Sequence, residues 1–517
     1  MAMLPSNAGT VPKFVDRLPI PEVLQPIGLK DGEPLYRVRM RQVMQQLHRD
    51  FPPTTVWGYE GTYPGPTIVV RRYRPITVQY ENELPDTHLF GVDTTIHGAE
   101  PFRPQVRTVV HLHDGDQPAD ADGHPDAWFT PGLRVTGPRF TTNNYRYPNR
   151  QRVTTMWYHD HAIGITRLNI YAGLAAFYLL EDEAEEQLGL PSGPFDIPLM
   201  FQDRTFTADG SLFYPAAFPG DFFGNINLVN GKVWPFLAVE PRRYRFRLLN
   251  AANMRFYNLQ LDPPLPMTQI AGDGGFLNRP VPLRELLLAP AERAEVIIDF
   301  TGRQGTTFTM TNNARTTYPN GTTPDANTSL VMQFRVARPP SGVDQSRIPE
   351  DLPAGPFPRP SEVVKVRDLT LNRRQDHLGR NILLLGIRDL DGRPLPLTWG
   401  DSTTEKPLLD TVEIWRLINT TNDTHPIHLH LVRFLILDRQ PFDVNRFMTT
   451  GELAFTGPAV SAADNEWCLK DTVRANPGEV TRIAVRFVHY PGEFVWHCHM
   501  LEHEDYEMMR RMEVQER

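Results

Sequence analysis

The chain has 517 residues, with 61 acidic against 53 basic side chains and a net charge of −8 at pH 7. That balance argues against nucleic acid as the main partner, and no run of about 18 apolar residues is present to cross a membrane as a helix. Met1 to Pro21 has no apolar stretch of the kind that marks a secretory signal.

The length suits about three domains. The 49 prolines and 36 glycines, among runs of Val, Ile, Tyr and Phe, favour short strands joined by turns. The first domain is expected over 1–182. Thr67 to Val70 and Ile76 to Tyr80 read as strands after the turn Pro64-Gly65-Pro66, and Leu174 to Leu180 as the closing strand. His111-Leu112-His113 ends the β-prone run Thr108-Val109-Val110, and His159-Asp160-His161 follows Trp157-Tyr158.

A second domain is expected over 183–338. Its Tyr244 to Asn250 resembles Glu413 to Asn419 further on, and with a one-residue gap Asn258-Leu259-Gln260 falls opposite His428-Leu429-His430. An internal repeat with histidines in only one copy reads as a spacer built on the same β-unit. Residues 339–365 are proline-rich and read as a semi-rigid linker, with an active-site lid as the alternative. The third domain is expected over 366–517.

That last segment contains Val495-Trp496-His497-Cys498-His499-Met500-Leu501-Glu502-His503, followed by Met508. On a strand running through His499, side chains alternate: Cys498 points to one face and His497 and His499 to the other. One strand would then offer a thiolate to one metal and two imidazoles to another site. Cys, His and a thioether Met form the ligand set of a blue copper electron-transfer site. Four His-x-His pairs, 111/113, 159/161, 428/430 and 497/499, each share a face and supply imidazoles suited to a cluster of three copper ions. His425, Cys498, His503 and Met508 remain for a single copper. A lone His-x-His is commonly incidental and a lone buried Cys is commonly a small hydrophobe. Here, however, ten of the sixteen histidines fall in these few short stretches, and none lies between His161 and His377. Such clustering makes coincidence the weaker reading. If Cys498 is a ligand, Cys468 has no partner and no intrachain disulfide forms; Cys468 reads as a structural thiol, with a redox role as the alternative.

These motifs resemble those of the multicopper oxidases, most closely the bacterial spore-coat laccase and bilirubin oxidase branch. Supporting stretches run from Leu47-His48-Arg49-Asp50 and Tyr63-Pro64-Gly65-Pro66-Thr67, through Arg167-Leu168-Asn169 and Leu228-Val229-Asn230-Gly231, to His503-Glu504-Asp505-Tyr506. The resemblance implies an all-β fold of three cupredoxin-like Greek-key sandwiches, with the outer two sharing a trinuclear copper cluster. It implies four copper ions per chain. Type 1 copper would take His425, Cys498, His503 and axial Met508, with Met509 as an alternative axial ligand. Type 2 copper would take His111 and His428, and the type 3 pair His113, His159, His161, His430, His497 and His499. Electrons from small organic donors would enter at His503, pass through Cys498 to His497 and His499, and reduce dioxygen to water. Glu504 and Asp122 match the family's proton-supplying acids, although Asp122 also sits in an ordinary turn string, Asp120-Ala121-Asp122-Gly123. An axial Met implies a modest potential beside high-potential fungal laccases.

One position departs from the family pattern, in which two glycines follow the first His-x-His. Here Asp114 precedes Gly115, and Asp114 is expected either to tune the type 2 site or to face solvent. Methionine-rich insertions are absent and no acidic cluster near His503 is obvious. The expected donors are therefore phenols, aromatic amines, dyes and bilirubin-like tetrapyrroles. The alternatives are oxidation of Cu(I), Mn(II) or Fe(II), which predicts Met or carboxylate groups over His503, and a non-catalytic copper-binding coat protein. Length and the histidines on both sides of Cys498 disfavour a two-domain nitrite reductase. A monomer without nucleic-acid or membrane partners is expected, located in the cytoplasm or spore coat, or exported in folded form.

Overall fold

The computed structural model describes residues 11–517; Met1 to Thr10, part of the stretch read above for a secretory signal, lie outside them. The described residues form six sheets, two from each third of the chain, and the same wiring recurs three times. Glu33–Gln45 pairs parallel with Ile76–Asn82, which pairs antiparallel with Asn144–Tyr147. Asp196–Arg204, Arg243–Asn250 and Arg293–Asp299 repeat that pattern, as do Val363–Gln375, Thr411–Asn419 and Glu479–Phe487. Parallel neighbours need a long return connection, so each such pair marks a crossing between the two sheets of a Greek-key sandwich. The all-β expectation of three cupredoxin-like sandwiches holds.

The second sheet of each sandwich places the site. In the first, Thr154–Asp160 lies between Ala175–Glu181 and Val110–His113. In the third, Gly492–Cys498 lies between Met509–Val514 and His425–Leu429. In the middle, Thr307–Asn312 lies between Leu330–Val336 and Tyr257–Asp262. Asn258 and Gln260 thus stand on the strand equivalent to the histidine-bearing ones, and the Asn258 amide donates to Asn313 Oδ1 at 2.7 Å. Alternation buries Val38, Met40, Val78 and Tyr80 in the first core, Phe246, Leu248 and Phe334 in the second and Leu417, Ile483 and Trp496 in the third. No helix of the described residues is long and apolar enough to cross a membrane.

Two short helices lock the outer sandwiches together. Leu501–Asp505 follows Cys498, and Thr166–Ala172 follows His161. The Asp505 carboxylate accepts the amides of Thr166 and Arg167 at 3.1 and 2.9 Å and pairs with the Arg167 guanidinium at 2.9 Å. A carboxylate at exposed helix N–H groups is favourable by charge and dipole together. Both side chains are 1 % exposed, so removing one leaves the other buried and uncompensated. Asp505→Ala is expected to cost about 3–5 kcal/mol, seen as an earlier thermal unfolding transition. A transition that does not move would show that this contact carries no load.

Candidate metal centre

Pairing register brings the histidines together. His111 stands opposite His159 on one ladder, and His428 opposite His497 on the other. The strand ends one residue sooner than expected, at Cys498, but His499 stays bound to the sheet through its amide to the Pro426 carbonyl at 2.7 Å. The two ladders face each other. His111 stacks on His430 and His113 on His428, each pair with ring centroids 3.7 Å apart. Donor atoms converge in three sets: His111, His428 and His430; His113, His159 and His499; His161, His430 and His497. All eight of these imidazoles are buried.

Most of these rings have one nitrogen committed to an acceptor outside the cluster. His111 Nδ1 donates to the Asp122 carbonyl at 2.6 Å, His428 Nδ1 to the Asp471 carbonyl at 2.9 Å, and His159 Nδ1 to the Asp160 carbonyl at 2.8 Å. His430 Nδ1 donates to Asp122 Oδ2 at 2.6 Å, His113 Nε2 to Asp471 Oδ1 at 3.0 Å, and His497 Nδ1 lies 3.0 Å from Glu504 Oε2. Donation from one nitrogen leaves a lone pair on the other. Those other nitrogens, His111 Nε2, His113 Nδ1, His159 Nε2 and His428 Nε2, have no protein partner. Nε2 of His497 lies 3.2 Å from Nε2 of His161 and 3.3 Å from Nε2 of His430. Lone pairs that close repel unless a cation lies among them, so the residues fit a bound metal cluster. Burial, reinforced by neighbouring imidazoles, holds His111, His159, His161, His430 and His499 well below the usual histidine range, in the neutral form that metals need.

The second site lies across the same strand. Cys498 Sγ is 3.6 Å from His425 Nδ1 and 3.8 Å from His503 Nδ1. The far nitrogens are held: His425 Nε2 by Thr421 Oγ1 at 2.7 Å, and His503 Nε2 by Asp221 Oδ1 at 3.1 Å. The Met508 carbonyl accepts the Cys498 amide at 3.0 Å. Met508 packs in the apolar cluster that contains Cys498 and Met500, whereas Met509 packs elsewhere, beside Val495 and Tyr506. Without a metal, burial pushes the Cys498 thiol well above its usual range; a bound cation reverses that balance. Cys468 is also unpaired and buried, and burial pushes its thiol up to about 12, as befits an inert structural thiol.

Glu504 and Asp122 reach the cluster, each beside two imidazoles. Glu504 Oε1 is 3.4 Å from His161 Nδ1, while Asp122 also accepts Gln117 Nε2 at 3.2 Å. Burial raises both carboxyls above the usual range. Asp114 does not face solvent: its carboxylate lies 2.5 Å from Arg433 Nε and 3.8 Å from Arg293 Nη2. Burial pushes it up to about 8. Its backbone has a φ of 73°, and Leu431, after the equivalent pair His428/His430, has a φ of 68°. The chain turns away from the cluster at the same point in both outer sandwiches, which explains why glycine suits this position.

Three contributors were missed in the sequence. Asp221 belongs to a loop 282 residues before His503. Asp471 lies three residues after Cys468, outside every histidine motif. Asp160, between His159 and His161, stands at the ladder position of Cys498. None carries a local pattern; the paired register exposes Asp160, and contacts distant in the chain expose Asp221 and Asp471.

The comparisons agree with the geometry. Family models described as multicopper oxidase match residues 42–105, 202–334 and 373–517. A laccase of Bacillus subtilis (strain 168) is 48% identical over 519 residues, covering 98% of this chain and 99% of that protein. A laccase of Haloferax volcanii is 43% identical over 532 residues, covering 97% and 85%. Among solved structures, a laccase from Pediococcus acidilactici superposes with a TM-score of 0.75 at 26% identity, covering 98% of this chain and 95% of that one. A multicopper oxidase from Aquifex aeolicus gives 0.76 at 25% identity, covering 97% and 99%.

Asp114→Gly is expected to relax the backbone but to unbalance Arg433 and Arg293, shifting the pH–rate profile and loosening metal retention. A variant with unchanged metal content and an unchanged profile would show that Asp114 does not tune the cluster.

Proposed function

Because the chain belongs to the multicopper oxidase family and is a copper-dependent oxidoreductase of laccase type, we propose that it oxidises phenols, aromatic amines, dyes or bilirubin-like tetrapyrroles one electron at a time and reduces dioxygen to water. The observation that carries this reading is the pairing of a buried Cys498–His425–His503 set with facing imidazoles through Cys498's own neighbours, His497 and His499. In this reading residues 1–182 and 366–517 bear the ligands and 183–338 does not.

His425, Cys498, His503 and axial Met508 would hold the type 1 ion, His111 and His428 the type 2 ion, and His113, His159, His161, His430, His497 and His499 the type 3 pair. Bound copper supplies the one-electron oxidation and the four-electron reduction of dioxygen. The protein supplies the rest. The Cys498 backbone joins the two sites covalently, so an electron has only a few bonds to travel. Burial keeps bulk water from the cluster. Glu504 and Asp122, whose carboxyls burial keeps ready to carry a proton, stand where oxygen reduction consumes protons.

His503, 4% exposed, meets a cleft of about 270 Å³ whose walls include Phe218, Asp221, Arg373, Leu383 and Tyr506. The cleft mixes apolar surface with charge, as a flat aromatic donor requires. Asp221 is placed to accept the proton that a phenol or amine sheds on oxidation. A carboxylate over His503 is also what oxidation of a metal cation would use, which favours that reading as the second one. Identity to laccases over the whole chain favours organic donors.

The copper-loaded protein is expected to show an intense blue band, a near-ultraviolet shoulder from a bridged pair, and about four copper ions per chain. A blue band without the shoulder, and with less copper, would remove the oxygen-reduction claim; no blue band would remove the role of Cys498. Asp221→Asn is expected to lower kcat/KM for phenols by about 10–100-fold, the low end of general-base effects because the cleft is open to water. Donors that lose no proton should lose less, through the altered His503 hydrogen bond alone. A larger loss with Fe(II) or Cu(I) than with phenols would select the metal-oxidising reading.

A further inference from the structure

We infer that Arg293, from the sandwich that carries no metal ligand, is a positioning residue for the trinuclear cluster, acting through Asp471 on His113 and His428. The inference rests on the copper assignment above. Arg293 opens the strand Arg293–Asp299 of the middle sandwich and is completely buried within it. Its planar fork meets the Asp471 carboxylate end on, with Nη1 donating to Oδ1 at 2.9 Å and Nη2 to Oδ2 at 2.5 Å. The remaining donors are also used: Nε on the Thr155 carbonyl at 3.0 Å, Nη1 on the Ala291 carbonyl at 3.0 Å, and Nη2 on the Asp273 carbonyl at 3.1 Å. A guanidinium with every donor bound has one orientation, and a bidentate partner takes its orientation from it.

Asp471 passes that orientation on. Its Oδ1 accepts His113 Nε2 at 3.0 Å and Thr472 Oγ1 at 2.8 Å, and its main-chain oxygen accepts His428 Nδ1 at 2.9 Å. Holding the proton on His113 Nε2 turns Nδ1 towards the cluster, the orphaned nitrogen found there. Thr155 lies on the strand that carries His159. A single side chain from the middle sandwich therefore touches a ligand-bearing strand of the first sandwich and, in the third, the residue that holds His113 and His428. The interfaces have other ion pairs that make no bond to Asp471, such as Arg245–Glu295 with Glu185, and Lys470–Asp273. Arg293 instead ends on Asp471, the residue that holds His113 and His428.

The test uses the copper-loaded full chain with Arg293→Lys, Asp471→Asn and the double variant. The readouts are type 2 copper resonance, copper lost to a chelator, the blue band, and kcat against KM for an organic donor. Lysine keeps the charge but not the fork. Arg293→Lys and Asp471→Asn are expected to leave the blue band and KM unchanged, because His503 and its cleft lie on the other site. Both should perturb the type 2 resonance, speed loss of cluster copper and lower kcat by about 10–100-fold. The double variant should be no worse than Asp471→Asn alone, since Arg293 acts through Asp471. Additive losses, a parallel loss of the blue band, or an Asp471→Asn protein with the unaltered type 2 resonance and copper retention would each overturn the inference. If Arg293→Lys does not fold, Asp471→Asn alone decides. Failure of the unsubstituted protein to hold cluster copper would instead remove the copper assignment on which the inference rests.

Discussion

The centre of this molecule is a set of buried lone pairs facing one another. Three Nε2 atoms, of His161, His430 and His497, sit 3.2–3.3 Å apart along two contacts, and unpartnered nitrogens of His111, His113, His159, His428 and His499 surround them. In water such an arrangement would be relieved by protonation. Here burial opposes the charge that protonation would bring, and most outer nitrogens are already spent as donors. Leaving a buried polar group unpaired costs on the order of 1–3 kcal/mol each, so the cluster is tolerable only with cations in it. A bound cation would relieve that cost as well as supply the chemistry.

That requirement explains the ring of acceptors. Asp122, Asp471 and Glu504 each face two imidazoles, one from each outer sandwich. A carboxylate there fixes the tautomer, orients the ring and offsets positive charge at once. Buried carboxylates need partners of their own. For Asp471 burial works against its charge, yet Arg293 and His113 beside it hold the carboxyl well below the usual range. The middle sandwich, bare of ligands, enters the site at this level. Its strand equivalent to the histidine-bearing ones keeps Asn258, bound to Asn313 instead of to metal.

How much of this was legible follows from what is local. Period-two spacing put His111 with His113 and His428 with His430, and alternation put Cys498 on the far side from His497; these survive because a strand enforces them over two residues. The repeat linking Tyr244–Asn250 to Glu413–Asn419 was readable because both strands bury the same face beside the same neighbours. Asp221, Asp471 and Arg293 were not readable. Each acts through contacts between segments distant in the chain or between sandwiches, and neither periodicity nor composition records which loop closes over which ring. Asp114 was visible only as a departure, and its two expected roles could not be separated until Arg433 and Arg293 were found around it.

One substitution explains why two nearly equivalent ladders do different work. Asp160 occupies in the first sandwich the position that Cys498 occupies in the third. The Asp160 carboxylate is satisfied internally: it accepts the amides of Val109 and Ala162 at 3.1 and 3.0 Å and the Asn169 side chain at 2.6 Å. It has no reason to seek a cation and closes the back of its strand. Cys498 Sγ has only the Met500 amide at 3.4 Å and two imidazole nitrogens. A soft sulfur with spare capacity, flanked by two rings held from behind by Thr421 and Asp221, leaves a site for an ion. The front faces of the two strands are alike, so the outer sandwiches share one cluster. Their back faces differ: only the third gathers a cysteine and two histidines, Cys498, His425 and His503, into a second set of donors.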